Sequence, residues 1–185
     1  MTLAATSIPG YLAGTWSIDP AHSDVSFSVR HMMVSKVKGR FGTFSGTIVT
    51  AEDPAQSSVT AEIDLSSIDT NNAQRDAHLK SPDFFDAETH KQLIFVGKKY
   101  EANGDDAKLH GDLTLRGVTK PVTIDVEFGG IVVDPYGQTK AGFTVTGKIS
   151  RKEFGLTWSA VTEAGQVVVS DEIRLNAEIQ LVKQA

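Results

Sequence analysis

The chain has 185 residues, of which 40% are hydrophobic and 22% charged, a balance typical of one globular domain rather than a disordered chain. Its formal net charge of −5 gives no long-range attraction to phosphate backbones, so nucleic acid is excluded as an expected partner. The chain has no cysteine, which excludes disulfides, thiolate catalysis and zinc–thiolate sites.

The first residues predict a loose N-terminal arm, residues 1–13, followed by a single domain, residues 14–185. Pro9 and Gly10 interrupt the arm, and Tyr11 and Leu12 are expected to tie it to the end of the domain. We find no signal-peptide pattern, and no stretch approaches the roughly 20 apolar residues of a spanning helix. The sequence therefore predicts a cytoplasmic protein without a membrane-spanning segment, or a periplasmic or secreted one if a signal was trimmed.

The first half of the domain alternates apolar and polar residues, which indicates strands with one buried and one exposed face. A short strand at 16–18 is followed by a clear alternation over 25–30. We expect a short link over 32–38, then a second long strand over 40–50, and another strand over 59–65. Each of these strands has one apolar face, and we expect these faces to be buried together in a common interior.

One short helix is predicted over 73–79, after Asn and Asp residues that can cap it and before Pro82, which ends it. Two adjacent aromatic residues, Phe84 and Phe85, follow in a loop. Because two large rings in one loop do not both point into water at low cost, we expect one of them to close an end of the fold.

The rest of the chain continues the two-residue period through five more strands, at about 92–100, 109–115, 118–128, 140–149 and 167–181. Tight turns are predicted at Asn103-Gly104 and Arg116-Gly117. This gives about eight antiparallel strands and one short helix, and a sheet of this size hides its edges by closing. The predicted fold is therefore all-β, an antiparallel β-barrel.

A barrel of about eight strands, each about ten residues long, stands about 25 Å tall and is either filled by side chains or holds one slender ligand. Small inward residues such as Ala61, Gly111 and Ala177 leave room, whereas Phe27 and Phe143 fill it. The alternation alone favours a packed core, and both interpretations stay open at this point.

Segments spread along the chain resemble the YceI family, and the resemblance runs in order from about residue 14 to 182. These segments are 16–19 (WSID), 27–31 (FSVRH), 37–41 (VKGRF), 44–46 (FSG), 67–70 (SIDT), 75–79 (RDAHL), 84–86 (FFD), 111–122 (GDLTLRGVTKPV) and 154–156 (FGL) after Arg151. The resemblance implies an extended, lipocalin-like barrel that holds an amphiphile. It implies no cofactor, and it names as ligand a polyprenyl chain, a polyprenyl pyrophosphate or a quinone.

The family resemblance favours a lipid-lined interior over a packed core. The predicted lining residues are Phe27, Val29, Phe41, Phe44, Ile63, Phe84, Leu113, Phe143, Trp158 and Ile173. A β-bulge reverses the faces of a strand, so a bulge before any of these positions would turn that side chain outward.

A phosphate or quinone head group needs hydrogen-bond donors at one end of such a barrel. Four residues near strand ends or on the helix are predicted to supply them: Arg30, His31, Arg75 and Arg151. The planar fork of arginine suits phosphate because it binds two oxygens at once. For each residue taken alone, surface charge or structural pairing with Asp69, Asp76 or Asp86 is the favoured alternative.

Catalytic and metal-binding patterns are absent from the sequence. The five histidines show neither HxH nor HExxH spacing, and there is no nucleophile elbow or glycine-rich phosphate loop. We therefore expect no metal and no enzymatic activity, but a protein that binds a long isoprenoid or similar amphiphilic lipid for transport, storage or sequestration. The alternatives are a filled-barrel structural or interaction protein and an enzyme acting on a bound lipid. A homodimer is a further expectation, because the strand at 92–100 is apolar on both faces.

Overall fold

A computed structural model describes residues 11–32, 34–103, 106–158 and 169–184. The elements within these ranges are β1 (Gly14–Ile18), β2 (Asp24–His31), β3 (Ser35–Phe41), β4 (Phe44–Thr50), β5 (Ser58–Asp64), β6 (Ile68–Asp69), α1 (Ala73–Lys80), β7 (Gln92–Asn103), β8 (Asp106–Leu115), β9 (Val118–Val133), β10 (Thr139–Ser150) and β11 (Val169–Lys183). None of the helices in these ranges has both the length and the apolar character needed to cross a membrane.

The strands close into an eight-stranded antiparallel barrel, as predicted. Going around the barrel, the order is β1, β4, β5, β7, β8, β9, β10 and β11, and the pairing of β1 with β11 closes the circle. The three remaining strands extend the wall. β2 follows β1 and pairs with β11, and β3 precedes β4 and pairs with β2. β6 follows β5 and pairs with β3. Three of the eight barrel strands thus consist of two pieces each.

Short aspartate-capped turns make two of these breaks. Asp19 accepts a hydrogen bond from the Ala21 backbone N–H at 3.0 Å and opens a turn of 3₁₀ helix between β1 and β2. Asp64 accepts from the Ser66 backbone N–H at 2.9 Å and opens the corresponding turn between β5 and β6. In both places the carboxylate satisfies a backbone donor that the interrupted ladder leaves unpaired.

The predicted link over 32–38 is wrong from Ser35 onwards, because β3 starts there and pairs with β2. The reason is Gly39, which faces inward where the alternation requires a large apolar residue. The Phe27 ring occupies that space instead, since a Cβ on Gly39 would lie 2.4 Å from a ring carbon. One glycine therefore conceals the period of two in this strand.

The predicted helix is confirmed as α1, and the Asn72 side chain caps it by accepting from the Arg75 backbone N–H at 3.0 Å. In the loop that follows, both Phe84 and Phe85 are buried, whereas we expected only one to turn inward. The predicted turn at Arg116-Gly117 is also confirmed. Both residues have positive φ, 52° and 73°, as a two-residue hairpin turn of this hand requires.

The end of the N-terminal arm is tied to the barrel in the way the sequence suggests. The Tyr11 hydroxyl donates to the Ala51 carbonyl, and the Thr50 hydroxyl donates to the Leu12 carbonyl at 2.8 Å. Residues 1–10 of the predicted arm lie outside the described ranges. The turn predicted at Asn103-Gly104 falls partly outside the described ranges, and the pairing of β7 with β8 is described up to Asn103 and Asp106.

Candidate ligand-binding cavity

The two ends of the barrel differ. At the end next to α1, called here the helix end, β8 and β10 finish and β7 and β11 begin. Large apolar side chains pack there into a plug of fully buried residues: Leu65, Phe84, Phe85, Leu115, Phe154 and Leu156. Of these six residues, Leu115 lies on a strand, β8. The other five come from segments that leave the strands and fold across the end of the barrel.

Arg151 holds one of these segments in place. Its side chain is only 1% exposed, and its guanidinium donates to the carbonyls of Leu156 (2.6 Å), Trp158 (2.8 Å) and Ser170 (2.9 Å), with a longer contact to Val169. Burial lowers the pKa of Arg151. A buried guanidinium surrounded by carbonyl oxygens ties the 151–158 segment to the start of β11.

Between the plug and the opposite end, called here the mouth end, lies a cavity of about 370 Å³. Its wall is formed by the inward faces of the barrel strands. Many of the lining side chains are apolar and only half-buried although they point inward, since their accessible surface faces the cavity; examples are Phe44, Ile48, Ile63, Leu109, Phe128, Phe143, Val145 and Ile179. The barrel is therefore hollow over this part of its length and packed at the helix end.

Small inward-facing residues leave space for this cavity. Ala61, Ala141, Gly147 and Ala177 line the cavity, as the inward pattern suggested. Gly111 does not leave space, because carbons of the Phe95 ring lie 2.7 and 2.8 Å from where its Cβ would be. Most of the small inward residues therefore leave space for the cavity, whereas the space beside Gly111 is filled by the ring of Phe95.

Several polar groups in the wall are paired within the protein. The Thr50 hydroxyl accepts from the Trp16 indole N–H at 3.0 Å, and the Ser57 hydroxyl accepts from the Ala51 backbone N–H at 3.2 Å. The amine of Lys99 is 2.9 Å from Glu101, and both side chains are largely exposed to solvent. Burial raises the pKa of Tyr100, so its hydroxyl is neutral at physiological pH. The described wall is therefore mainly apolar, and its charged side chain, Lys99, is paired with Glu101.

The structure divides the predicted lining residues into three groups. Five of them line the large cavity: Phe41, Phe44, Ile63, Leu113 and Phe143. Phe27, Val29, Phe84 and Ile173 line a second cavity of about 60 Å³ inside the plug, which Phe41 also borders. Trp158 packs against the plug, with its ring centroid 5.2 Å from that of Phe84 and 5.0 Å from that of His78. Their contact with a ligand stays a prediction.

The predicted head-group residues all lie at the helix end, away from the mouth. Arg30 is exposed at the end of β2, where the neighbouring His31 pairs with Val169. Arg75 donates to the Thr70 hydroxyl at 2.8 Å and to the Thr70 carbonyl at 2.6 Å. Arg151 is buried in the plug as described above. The structure does not bring these four side chains together around the large cavity.

Several lining residues were not identified from the sequence. They are chiefly Tyr11, Leu12, Leu93, Phe95, Ile124, Val126, Val145 and Ile179. For the members on β9, β10 and β11, the period of two carries the signal, because they share a face with predicted neighbours. Strand β7 is apolar on both faces at its start, so the alternation does not show which way Leu93 and Phe95 point.

Comparisons with known proteins agree with this architecture. The model of the YceI-like domain family matches residues 16–181, from β1 to β11. A UPF0312 protein of Staphylococcus epidermidis is 38% identical over 170 residues, covering 89% of this chain and 95% of that protein.

Solved structures show the same barrel. BcnA of Burkholderia cenocepacia has a TM-score of 0.76 and 25% identity, and the match covers 88% of this chain and 98% of that chain. A polyisoprenoid binding domain from Saccharophagus degradans has a TM-score of 0.68 and 18% identity, covering 91% and 98% of the two chains. With the family match spanning the whole closed barrel, this chain belongs to the YceI-like domain family.

Proposed function

We propose that the protein binds a long isoprenoid or a similar amphiphilic lipid in its barrel cavity, for transport, storage or sequestration. The observation that carries the proposal is the hollow interior, in which inward apolar side chains such as Phe44, Phe143 and Val145 keep accessible surface. Ligand sites are typically apolar cavities of about 300–1,000 Å³, and this cavity lies in that range. The isoprenoid class is supported by the Saccharophagus degradans domain, which shares the fold.

The wall determines how such a ligand would lie. Each methylene that enters contributes about 0.8 kcal/mol, so a hydrocarbon tail gains affinity with every carbon until it meets the plug. The hydroxyls of Thr50 and Ser57 are hydrogen-bonded within the protein, and the amine of Lys99 is paired with Glu101, so the wall has little to offer a charged head group. The polar head therefore stays at the mouth near Tyr100, in contact with solvent, and the tail points towards Phe84 and Phe85.

The proposal is one of binding without chemistry. Within the described part of the wall, the ionisable side chains are Tyr11, Tyr100 and Lys99, and the amine of Lys99 is paired with exposed Glu101. No carboxylate or histidine from the described ranges lines the cavity to act as a general base. General acid–base catalysis needs such a group within hydrogen-bond reach of the substrate.

Native mass spectrometry of the purified protein, followed by organic extraction and lipid mass analysis, tests the proposal. We expect a stoichiometric mass excess that fragments as repeated isoprene units. A bare polypeptide mass that is unchanged after incubation with polyprenyl phosphates and quinones would overturn the proposal.

A matched pair of variants locates the binding site. Ala61 lines the cavity, whereas its neighbour Thr60 is exposed on the outer face of β5. Ala61→Phe fills the bore and is expected to lower the affinity for a polyprenyl phosphate about tenfold or more, because a ring replaces the first few carbons of the tail. Thr60→Phe adds the same ring outside and should leave the affinity unchanged. Equal effects of the two variants would place the ligand elsewhere.

A further inference from the structure

An exposed apolar patch borders the mouth of the cavity. It consists of Val132, Val133 and Tyr136 at the tip of the β9–β10 hairpin, which are 63%, 67% and 89% exposed, and of Leu12, which is 45% exposed. We call these four residues the rim patch. Single exposed apolar residues are common on proteins, but a cluster of large ones beside a cavity entrance marks an interaction surface.

Two residues of the patch are continuous with the cavity wall. Ile131 lines the cavity, and Val133 follows it by two positions in the same strand, so it lies on the same inner face one step nearer the end. Leu12 both lines the cavity and reaches solvent. At these two positions, exposed apolar surface adjoins the apolar wall of the cavity.

The hairpin tip exposes no free charge. Residues 129–139 contain one charged residue, Asp134, whose side chain is 14% exposed. Its carboxylate accepts from the backbone N–H groups of Tyr136 and Gln138, both at 2.9 Å, and pairs with Lys140 at 3.5 Å. Lys140 also reaches Asp19 at 3.6 Å and is itself 13% exposed. The tip thus offers uncharged apolar and aromatic surface on a chain of net charge −5.

We propose that the rim patch docks the mouth of the barrel onto an electrically neutral lipid bilayer. This inference rests on the proposed function, because a long isoprenoid dissolves in a bilayer and not in water. An uncharged surface matches zwitterionic head groups, and the negative charge of the chain opposes binding to anionic ones. Tyrosine and aliphatic side chains favour the interface between head groups and acyl chains. Docking in this orientation lets a tail pass from bilayer to cavity without crossing water.

Flotation with phosphatidylcholine vesicles tests the proposal, using Val133→Asp and a matched control, Val34→Asp. Val34 is 81% exposed at the start of β3, at the opposite end of the barrel. We expect Val133→Asp to lower the bound fraction about tenfold, as the loss of one buried valine predicts, and Val34→Asp to bind like wild type. Equal binding of both variants, or flotation that raised salt abolishes, would overturn the proposal.

Loading kinetics separate this proposal from the proposed function. A polyprenyl phosphate is supplied either from phosphatidylcholine vesicles or from detergent solution. If docking is correct, Val133→Asp slows loading from vesicles about tenfold and leaves detergent loading unchanged. If both variants load equally from vesicles, docking is wrong while binding stands. If native mass spectrometry shows a dimer that Val133→Asp dissociates, the patch is covered by a second copy, and the bilayer proposal is overturned.

Discussion

At the helix end, Leu65, Phe154 and Leu156 have at most 1% of their surface exposed, whereas Phe44 and Phe143 face the same barrel interior and remain half-exposed. The first three lie in segments between strands, and the other two lie on β4 and β10. Strands alone leave the eight-stranded barrel open, and the segments that fold across its helix end fill it. The comparison teaches that the strand pattern decides which side chains face inward, while the crossing segments decide whether those side chains pack or line a cavity.

The largest effect on the plug is expected from removing the guanidinium of Arg151, which holds one of the segments that cross the helix end. Arg151→Met is expected to lower the free energy of unfolding by about 3–5 kcal/mol, because several buried carbonyls lose their donor at once. Urea denaturation monitored by circular dichroism measures this change. Arg174→Met is the matched control, since Arg174 is half-exposed on β11 and its ion pair in the described part of the chain is with Glu172, at 3.2 Å. A loss of less than 1 kcal/mol at both sites would show that Arg151 is not needed for the plug.

A pair of identical truncations compares the two regions directly. Phe154→Ala at the plug is expected to cost about 3–5 kcal/mol, because a fully buried ring is replaced by a cavity. Phe143→Ala in the cavity wall should cost about 1–2 kcal/mol, since that ring already borders open space. Chemical denaturation of both variants gives the two values. Equal costs would mean that the wall around Phe143 is as tightly packed as the plug.

The contact between Phe27 and Gly39 tests how tightly the plug-side wall is packed. Gly39→Ala is expected to destabilise the fold by about 1–3 kcal/mol, because the new methyl group would meet the Phe27 ring at 2.4 Å. Phe27→Leu in the same chain should recover part of that loss, and a double-mutant cycle on unfolding free energies measures the coupling. As a control, Gly142→Ala adds a methyl with no atom within 4 Å and should change stability little. Strictly additive effects of the two substitutions would contradict the proposed contact.

Much of the fold could be predicted from the sequence because barrel strands carry their own signal. Alternation identified the strands, and Asn72 marked the start of the helix. Strand β3 was placed too late, because Gly39 faces inward and the ring of Phe27 supplies the missing apolar group from the neighbouring strand. The residue pattern along one strand does not show which side chains of a neighbouring strand fill its inner face.

The candidate site was harder to predict than the fold. Phe44, Ile63 and Phe143 were identified correctly as inward-facing, but the alternation does not distinguish the cavity from the plug, where Phe27 and Phe84 lie instead. Which group a residue joins depends on how the 81–91 loop and the 151–158 segment cross the barrel end. Arg151 was predicted to be a head-group donor, but because the 151–158 segment crosses the barrel end, it is buried there and donates to backbone carbonyls.

The hairpin tip at the mouth gives the smallest expected effect and a dependence on pH. Hydrogen bonds from the Gln138 and Tyr136 backbone N–H groups, together with Lys140, lower the pKa of Asp134. A carboxylate whose pKa is lower in the folded state stabilises the fold above its unfolded pKa of about 4, and that contribution is lost as the pH falls through the folded value. Asp134→Asn should therefore lower the melting temperature slightly at pH 7.

The same variant should match wild type more closely as the pH falls below about 4, where the native carboxylate becomes protonated. Differential scanning calorimetry of both proteins across this range measures the convergence. Because the tip carries Tyr136 and borders Val133, vesicle flotation of Asp134→Asn at pH 7 adds a second readout. An asparagine adds no exposed charge to the tip, so docking on a neutral bilayer should persist. A melting difference that stays constant with pH would show that the charge of Asp134 does not stabilise the tip.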